Sequence, residues 1–334
     1  SITRSDTGIQ AISGTNELTL QNNTINSTGN FALELNDSTQ LLMQANTIFN
    51  NITLHNADLA IINNNNSLNI TSTVTQSDGL TLSNNSLEIL NLTSTDNSTV
   101  SLNTADQFII NNFSNGIIAS NTVTDSELVT FQLENFTTSS IYSNTIQNTS
   151  FAIRLISGSG NTIYDNWIKD ISVGINITGS TTNRLYNNYL ENTLNTVDDS
   201  SNAWNSSYSC SSPNIVGGPC QGGNFYSDYS GLDNGASSRE QGDGIGDLPA
   251  FYTIAAGNTD SLPLLLYVAR QYTAPQPPFN ETFVAIGNTS GELENGEIVP
   301  NEVQTIEYKN GSNGYVELTG FFNQSDVNAN TLQM

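Results

Sequence analysis

The chain has 334 residues, enough for one large domain or two to three smaller ones, and only 11% of them are charged. Its formal charge is −24 with just two lysines, Lys169 and Lys309, which excludes the clustered basic surface that nucleic acids and anionic membranes bind. No apolar run approaches the length of a membrane-spanning helix.

The chain opens inside a repeat-like phrase, Gly8-Ile9-Gln10-Ala11-Ile12, with no leader-like stretch, so a processed portion of a longer precursor is expected. Up to about residue 200 one phrase keeps returning: an Asn, any residue, then an aliphatic. It reads Asn23-Thr24-Ile25, Asn46-Thr47-Ile48, Asn85-Ser86-Leu87, Asn121-Thr122-Val123, Asn144-Thr145-Ile146, Asn166-Trp167-Ile168 and Asn188-Tyr189-Leu190, with weaker rungs around Asn65 and Asn103. The last four are spaced 23, 22 and 22 residues. Alternating apolar phrases lie between them, as at 31–35, 151–155 and 174–177, each followed by a polar turn.

Period-two alternation predicts strands with one buried face, and a repeat of about 22 residues predicts one solenoid coil per repeat. Stacking the coils puts Ile141, Ile163 and Leu185 in one column, Tyr142, Tyr164 and Tyr186 in the next, then Asn144, Asn166 and Asn188. The repeated Asn is expected to take a left-handed corner backbone and to hydrogen-bond to its neighbours above and below. About nine rungs, each about 4.8 Å deep, would stack to a length on the order of 40 Å.

Residues 201–268 lie beyond the repeat and are rich in aromatic residues and Asp. Cys210 and Cys220 lie here. In an oxidising compartment they would close a short loop, worth roughly 2–3 kcal/mol; in a reducing one they would be idle thiols or a weak metal pair. The 18 Asn-x-Ser/Thr sequons favour the oxidising, exported setting. They are Asn22, Asn26, Asn36, Asn51, Asn65, Asn69, Asn84, Asn91, Asn97, Asn112, Asn135, Asn148, Asn176, Asn205, Asn280, Asn288, Asn310 and Asn323. Ala274-Pro275-Gln276-Pro277-Pro278 is a stiff linker. Beyond it, 279–334 predicts a small β domain, sandwich-like, with strand-like runs at 282–286, 303–308 and 315–318 and a hairpin signal at Asn310-Gly311.

The repeat phrase resembles the NosD-like right-handed parallel β-helix repeats of periplasmic and archaeal surface proteins. The likeness sharpens in 222–231, 242–249 and 260–264, where GGNFYSDYSG, GDGIGDLP and DSLPL are similar to the family's closing patterns GGNYWSDY, DGDGIGD and D-x-x-PL. The resemblance implies the fold, an exported location and a C-terminal cap, which takes up 201–268. It does not fix the function, because one fold carries many roles.

Asp233, Asn234, Asp243 and Asp247, with Asp228 nearby, put hard oxygen donors in a Gly-rich loop and form a candidate structural calcium site. Here Ser237-Ser238-Arg239-Glu240-Gln241 interrupts the family's denser acidic run with a positive charge, and a cap held by Asx hydrogen bonds is the alternative. Copper, which the NosD name would suggest, wants imidazole, thiolate or thioether; one His (His55), two Met (Met43 and Met334) and two pairing Cys offer little for it. No cofactor is required on this reading. Asp165, Asp170, Arg154, Lys169 and Arg184 fall in adjacent rungs, but their column positions read as turn and solvent positions and not as a catalytic set. Tyr142, Tyr164, Trp167, Tyr186 and Tyr189 could form an outer stripe for sugars to stack on, unless a loop or the cap covers it.

These readings combine into an all-β chain: a right-handed parallel β-helix with a C-terminal cap and a small β appendage. The expected function is that of a glycosylated extracellular structural protein (an S-layer, sheath or filament subunit, or an adhesin) of archaeal type, without catalysis. Self-association or contact with other surface proteins and glycans is expected. A polysaccharide-binding or polysaccharide-processing module is the second reading, and a periplasmic NosD-like accessory protein the third.

Overall fold

The computed structural model describes residues 2–3, 7–11, 17–67, 71–236, 239–254, 258–266, 283–286, 303–310 and 314–321. The chain divides into two compact units, Ser1–Tyr267 and Val268–Met334.

The first unit is a parallel β-solenoid. Its coils contribute strands to three stacked sheets of twelve, nine and five strands. The long sheet includes Thr47–His55 and continues through Thr71–Thr75, Ile89–Thr93, Gln107–Ser114, Val129–Thr137, Phe151–Ile156 and Val173–Thr178. The nine-stranded sheet is built from three-residue strands, Thr19–Gln21 to Arg184–Tyr186, and the short sheet runs from Thr122–Thr124 to Phe225–Tyr226. The columns expected from the repeat are present in register: Ile141 pairs with Ile163 and Ile163 with Leu185, while Tyr142, Tyr164 and Tyr186 align beside them.

Side-chain alternation explains the core. In each three-residue strand of the nine-stranded sheet the middle residue points inward, as Met43, Ile62, Leu82, Val100 and Ile163 do. The long sheet supplies the opposite wall with Leu33, Leu90, Phe108, Phe131 and Ile153. Phe108 stacks on Phe131 with ring centroids 4.7 Å apart, and Phe113 on Phe136 at 5.1 Å. Such continuous columns let each coil bury its apolar face only against its neighbours.

A polar ladder runs beside this core. Asn23, Asn46, Asn65, Asn85, Asn103, Asn121, Asn144, Asn166, Asn188 and Asn224 stack, and each donates both its backbone N–H and its side-chain Nδ2 to the Oδ1 of the next. From Asn46 to Asn224 the Nδ2 also reaches a main-chain carbonyl of the coil below, as Asn144 does to Ile118 at 3.1 Å. Up to Asn188 the coil length varies from 18 residues between Asn85 and Asn103 to 23 between Asn121 and Asn144, yet no step of the ladder is missed.

One expectation is corrected here. The left-handed corner residue is not the ladder Asn but the residue before it: Asn22, Ala45, Asn64, Asn84, Leu102, Ser120, Ser143, Asp165 and Asn187 all have φ between 54° and 58°. The turn residue thus absorbs the backbone cost and leaves the next Asn buried and free to bond.

In the second unit, Phe283–Ile286, Val303–Asn310 and Gly314–Phe321 form a three-stranded antiparallel sheet. Asn310 pairs with Gly314, so the Asn310-Gly311 signal does sit at a hairpin. A single sheet, not a sandwich, is what the described residues show.

Candidate functional site

Most of the side chains singled out by chemistry lie at the C-terminal end of the solenoid. Phe225–Tyr226 pairs in parallel with Tyr189–Leu190 and adds the last rung. The step from Asn188 to Asn224 spans 36 residues instead of about 22, and the surplus forms an excursion pinned by the Cys210–Cys220 disulfide and a Ser209–Gln221 bridge. Ile215 and Val216 from that excursion pack with Tyr189, Cys220, Phe225, Ile245 and Leu264 in a small apolar cluster.

The ladder ends on a carboxylate. Asp260, fully buried, takes the place of the next Asn. Its Oδ2 accepts from the Asn224 backbone N–H at 2.7 Å, the Asn224 Nδ2 at 3.4 Å and the Tyr226 hydroxyl at 3.1 Å, and its Oδ1 accepts from Leu262 N–H at 2.9 Å. Every other ladder member passes its amide donors onward; a carboxyl has two acceptor oxygens and no amide N–H₂ to place, so Asp can terminate the series. Burial pushes this carboxyl up to about 7, against the hydrogen bonds that favour the anion. Gly223 is required beside it, since a Cβ there would fall about 2 Å from the Asp260 oxygens. Asp198 ends a shorter ladder, Ser139–Asn161–Asn183–Asn202, in the same way, with its other oxygen accepting from Trp204 Nε1 at 2.8 Å. The sequence pattern marked Asp260 as part of the closing motif, but its role becomes visible only once the ladder is followed rung by rung.

The acidic loop is engaged internally. Asp233 accepts backbone N–H groups from Gly242 and Gly244, Asp247 from Asn234 and Gly235, and Asp243 from Ile245. The half-buried Arg239 guanidinium meets Asp247 Oδ1 at 3.0 Å and lies 3.8 Å from Asp243 Oδ2. Asn234's side chain turns to the Ala236 N–H. The expected calcium donors are thus brought together, with an arginine among them and their oxygens directed at main-chain donors. Among the described residues no group of three or more His, Cys, Asp or Glu could hold a metal ion.

Copper donors do not converge either. His55 Nδ1 lies 2.8 Å from Thr75 Oγ1 on the long sheet, Met43 is buried in the core, Cys210 and Cys220 are bonded to each other, and Met334 lies outside the described residues. These residues do not fit a copper site, and no chemistry is routed through one.

The aromatic columns are real but closely stacked. Tyr142, Tyr164 and Tyr186 stack with centroids 4.9 and 5.3 Å apart, and Trp167, Tyr189 and Phe225 at 3.8 and 4.7 Å. Stacking covers both faces of Tyr164 and of Tyr189, so mainly ring edges and hydroxyls face outward. The cap covers Tyr189, whose hydroxyl donates to Glu191 at 2.6 Å and is pushed up to about 12 by burial and by that carboxylate. Trp167 remains 38% exposed. Lys169 pairs with Glu191 at 3.3 Å, Arg154 and Arg184 point outward, and Asp165, raised by burial, accepts from Asn187 at a corner. These groups do not converge on one point.

Sequons Asn22, Asn26, Asn84, Asn97, Asn112, Asn135 and Asn148 are exposed, and Asn36, Asn51, Asn91, Asn176 and Asn205 partly so. Asn65 is corrected: it is buried, with its amide held in the ladder, and a glycan cannot reach it in the folded coil. Asn69, Asn280, Asn288 and Asn323 lie outside the described residues, and Asn310 is described by its backbone alone.

No curated protein and no solved structure matches this chain. One family does: the family described as periplasmic copper-binding protein (NosD) matches residues 48–231, from the second full coil through the start of the cap, which is more than half of the chain. The chain belongs to the NosD family of β-helix proteins.

Proposed function

We propose that this protein is an exported, glycosylated scaffold of the cell envelope, with a structural or adhesive role and no catalytic one. The observation that carries this reading is where its polar chemistry goes. Asp260 and Asp198 terminate ladders, the cap carboxylates bind main-chain N–H groups and Arg239, and Lys169 is paired. The disulfide fits an oxidising compartment, and the exposed sequons fit a glycosylated surface. Among the described residues no helix is long and apolar enough to cross a membrane.

Electron microscopy of native envelopes and of the purified protein tests the reading, together with intact-mass measurement of glycan on the native chain. Ordered arrays or fibres and added glycan mass support it; an unglycosylated protein recovered away from the envelope overturns it. The family match favours a second reading, a periplasmic accessory protein. Stoichiometric copper retained after dialysis, measured by elemental analysis, would move the assignment there.

A further inference from the structure

The outward face of the nine-stranded sheet differs from the rest of the solenoid. Its outward positions, the first and third residue of each strand from Thr19–Gln21 to Arg184–Tyr186, include no Asp, no Glu and no sequon Asn. This holds in a chain with 31 acidic residues and 18 sequons. Thr, Ser, Gln, Ile and Tyr fill most of these positions, beside Leu42, Asn63 and a buried Ala119, and Arg184 is the one charge among them. Exposed apolar side chains gather here: Ile61 (43%) and Ile117 (37%) on the face, Leu59 and Leu102 (both 59%) at the corners beside it. Carboxylates stand on its borders instead, with Asp58, Asp78 and Asp96 stacked along one side of the N-terminal half and Asp165 on the other side. Sequons Asn22, Asn84 and Asn97 also lie on those borders.

We propose that this face is a homotypic interface, packed against the same face of a second copy of the chain. The inference deepens the scaffold reading above and rests on it for the choice of partner. Three arguments select a second copy. Two chains of charge −24 repel each other wherever carboxylates meet, and this face is where they do not. A second solenoid has side-chain rows of the same spacing, about 4.8 Å, so the rows can interdigitate along the full length of the sheet. Nine rungs at that spacing, with the flanking corners, offer roughly 700–800 Å² per partner, about what a stable interface buries. A two-fold arrangement uses the same patch twice and closes.

Sedimentation velocity of the full chain across concentration and ionic strength tests this. Self-association that strengthens with added salt is expected, because salt screens the carboxylates outside the face. Ile117→Glu should weaken it at least tenfold, while Thr73→Glu, on the outward face of the long sheet, should leave it unchanged. Thr81→Asn, which creates an Asn-x-Ser sequon with Ser83 and leaves the existing ones intact, should abolish it when the protein is made in a glycosylating host and the added glycan is confirmed by mass. Circular dichroism melts establish that each variant folds. Association that ignores both face substitutions overturns this interface and leaves the scaffold reading standing. A monomer under all conditions also overturns the interface, and the envelope microscopy then decides the scaffold reading separately.

Discussion

The solenoid body and its cap satisfy the same kind of buried polar ladder by opposite means. In the body each Asn is bonded by an identical Asn one coil away, so any single junction carries a small share of the whole. In the cap one residue, Asp260, receives four donors from three residues, Asn224, Tyr226 and Leu262. Repetition spreads stability; closure concentrates it. A one-dimensional stack tolerates a weak coil in its middle but depends on how its ends are finished.

The sharpest way to break the contrast is Asp260→Ala. Four buried donors lose their acceptor at about 1–3 kcal/mol each before relaxation, and a net loss of about 5 kcal/mol is expected in denaturant melts at pH 5. Titration offers a milder test of the same residue. The folded carboxyl sits near 7 against 3.8 for the free side chain, so the folded state holds a proton that the unfolded chain has released. The contribution of Asp260 to stability is therefore full below about pH 4, falls as pH rises, and levels off above about 7, by up to about 4 kcal/mol at about 1.4 kcal/mol per pH unit. Asp260→Asn should flatten this slope while remaining less stable at pH 5, because its amide N–H₂ would face the Leu262 N–H donor.

Asn144→Ala probes the body. It strips the acceptor from the Asn121 backbone and side-chain donors, and about 3 kcal/mol should be lost, less than at the cap although the residue is as deeply buried. A gain is expected at Ser72, which aligns with Ile52 and Leu90 in an otherwise apolar column, carries a buried hydroxyl without a hydrogen-bond partner and lines a small void. Ser72→Val should raise stability by about 1–2 kcal/mol in thermal melts. The smallest effect is at Leu102, an exposed corner residue at φ 58°. Leu102→Asn should add about 1 kcal/mol by relieving left-handed strain.

The repeat made much of this legible in the sequence. Period-two alternation and the recurring Asn phrase placed the columns around Ile141, Ile163 and Leu185 in their observed register, because a solenoid coil is decided by its nearest neighbours. The cap was legible only as a motif. Asp260 and Asn224 are 36 residues apart, and nothing periodic joins them. Composition likewise showed a cluster of acidic residues but not that Arg239 folds back among them from within the interrupting segment. The stacking of the tyrosines followed from the 22-residue spacing, yet its consequence, that both faces of Tyr164 are hidden from sugars, depends on ring orientation that a one-dimensional pattern does not contain.

The ladder also has a direction. From Asn to Asn, each amide gives to the coil that follows and receives from the coil before, so these junctions all point the same way. Duplicating or deleting one whole coil between, for example, Asn144 and Asn166 restores each junction as it was. Lengths of this protein differing by single coils should then be reachable in one genetic step, with the closing segment carried along intact.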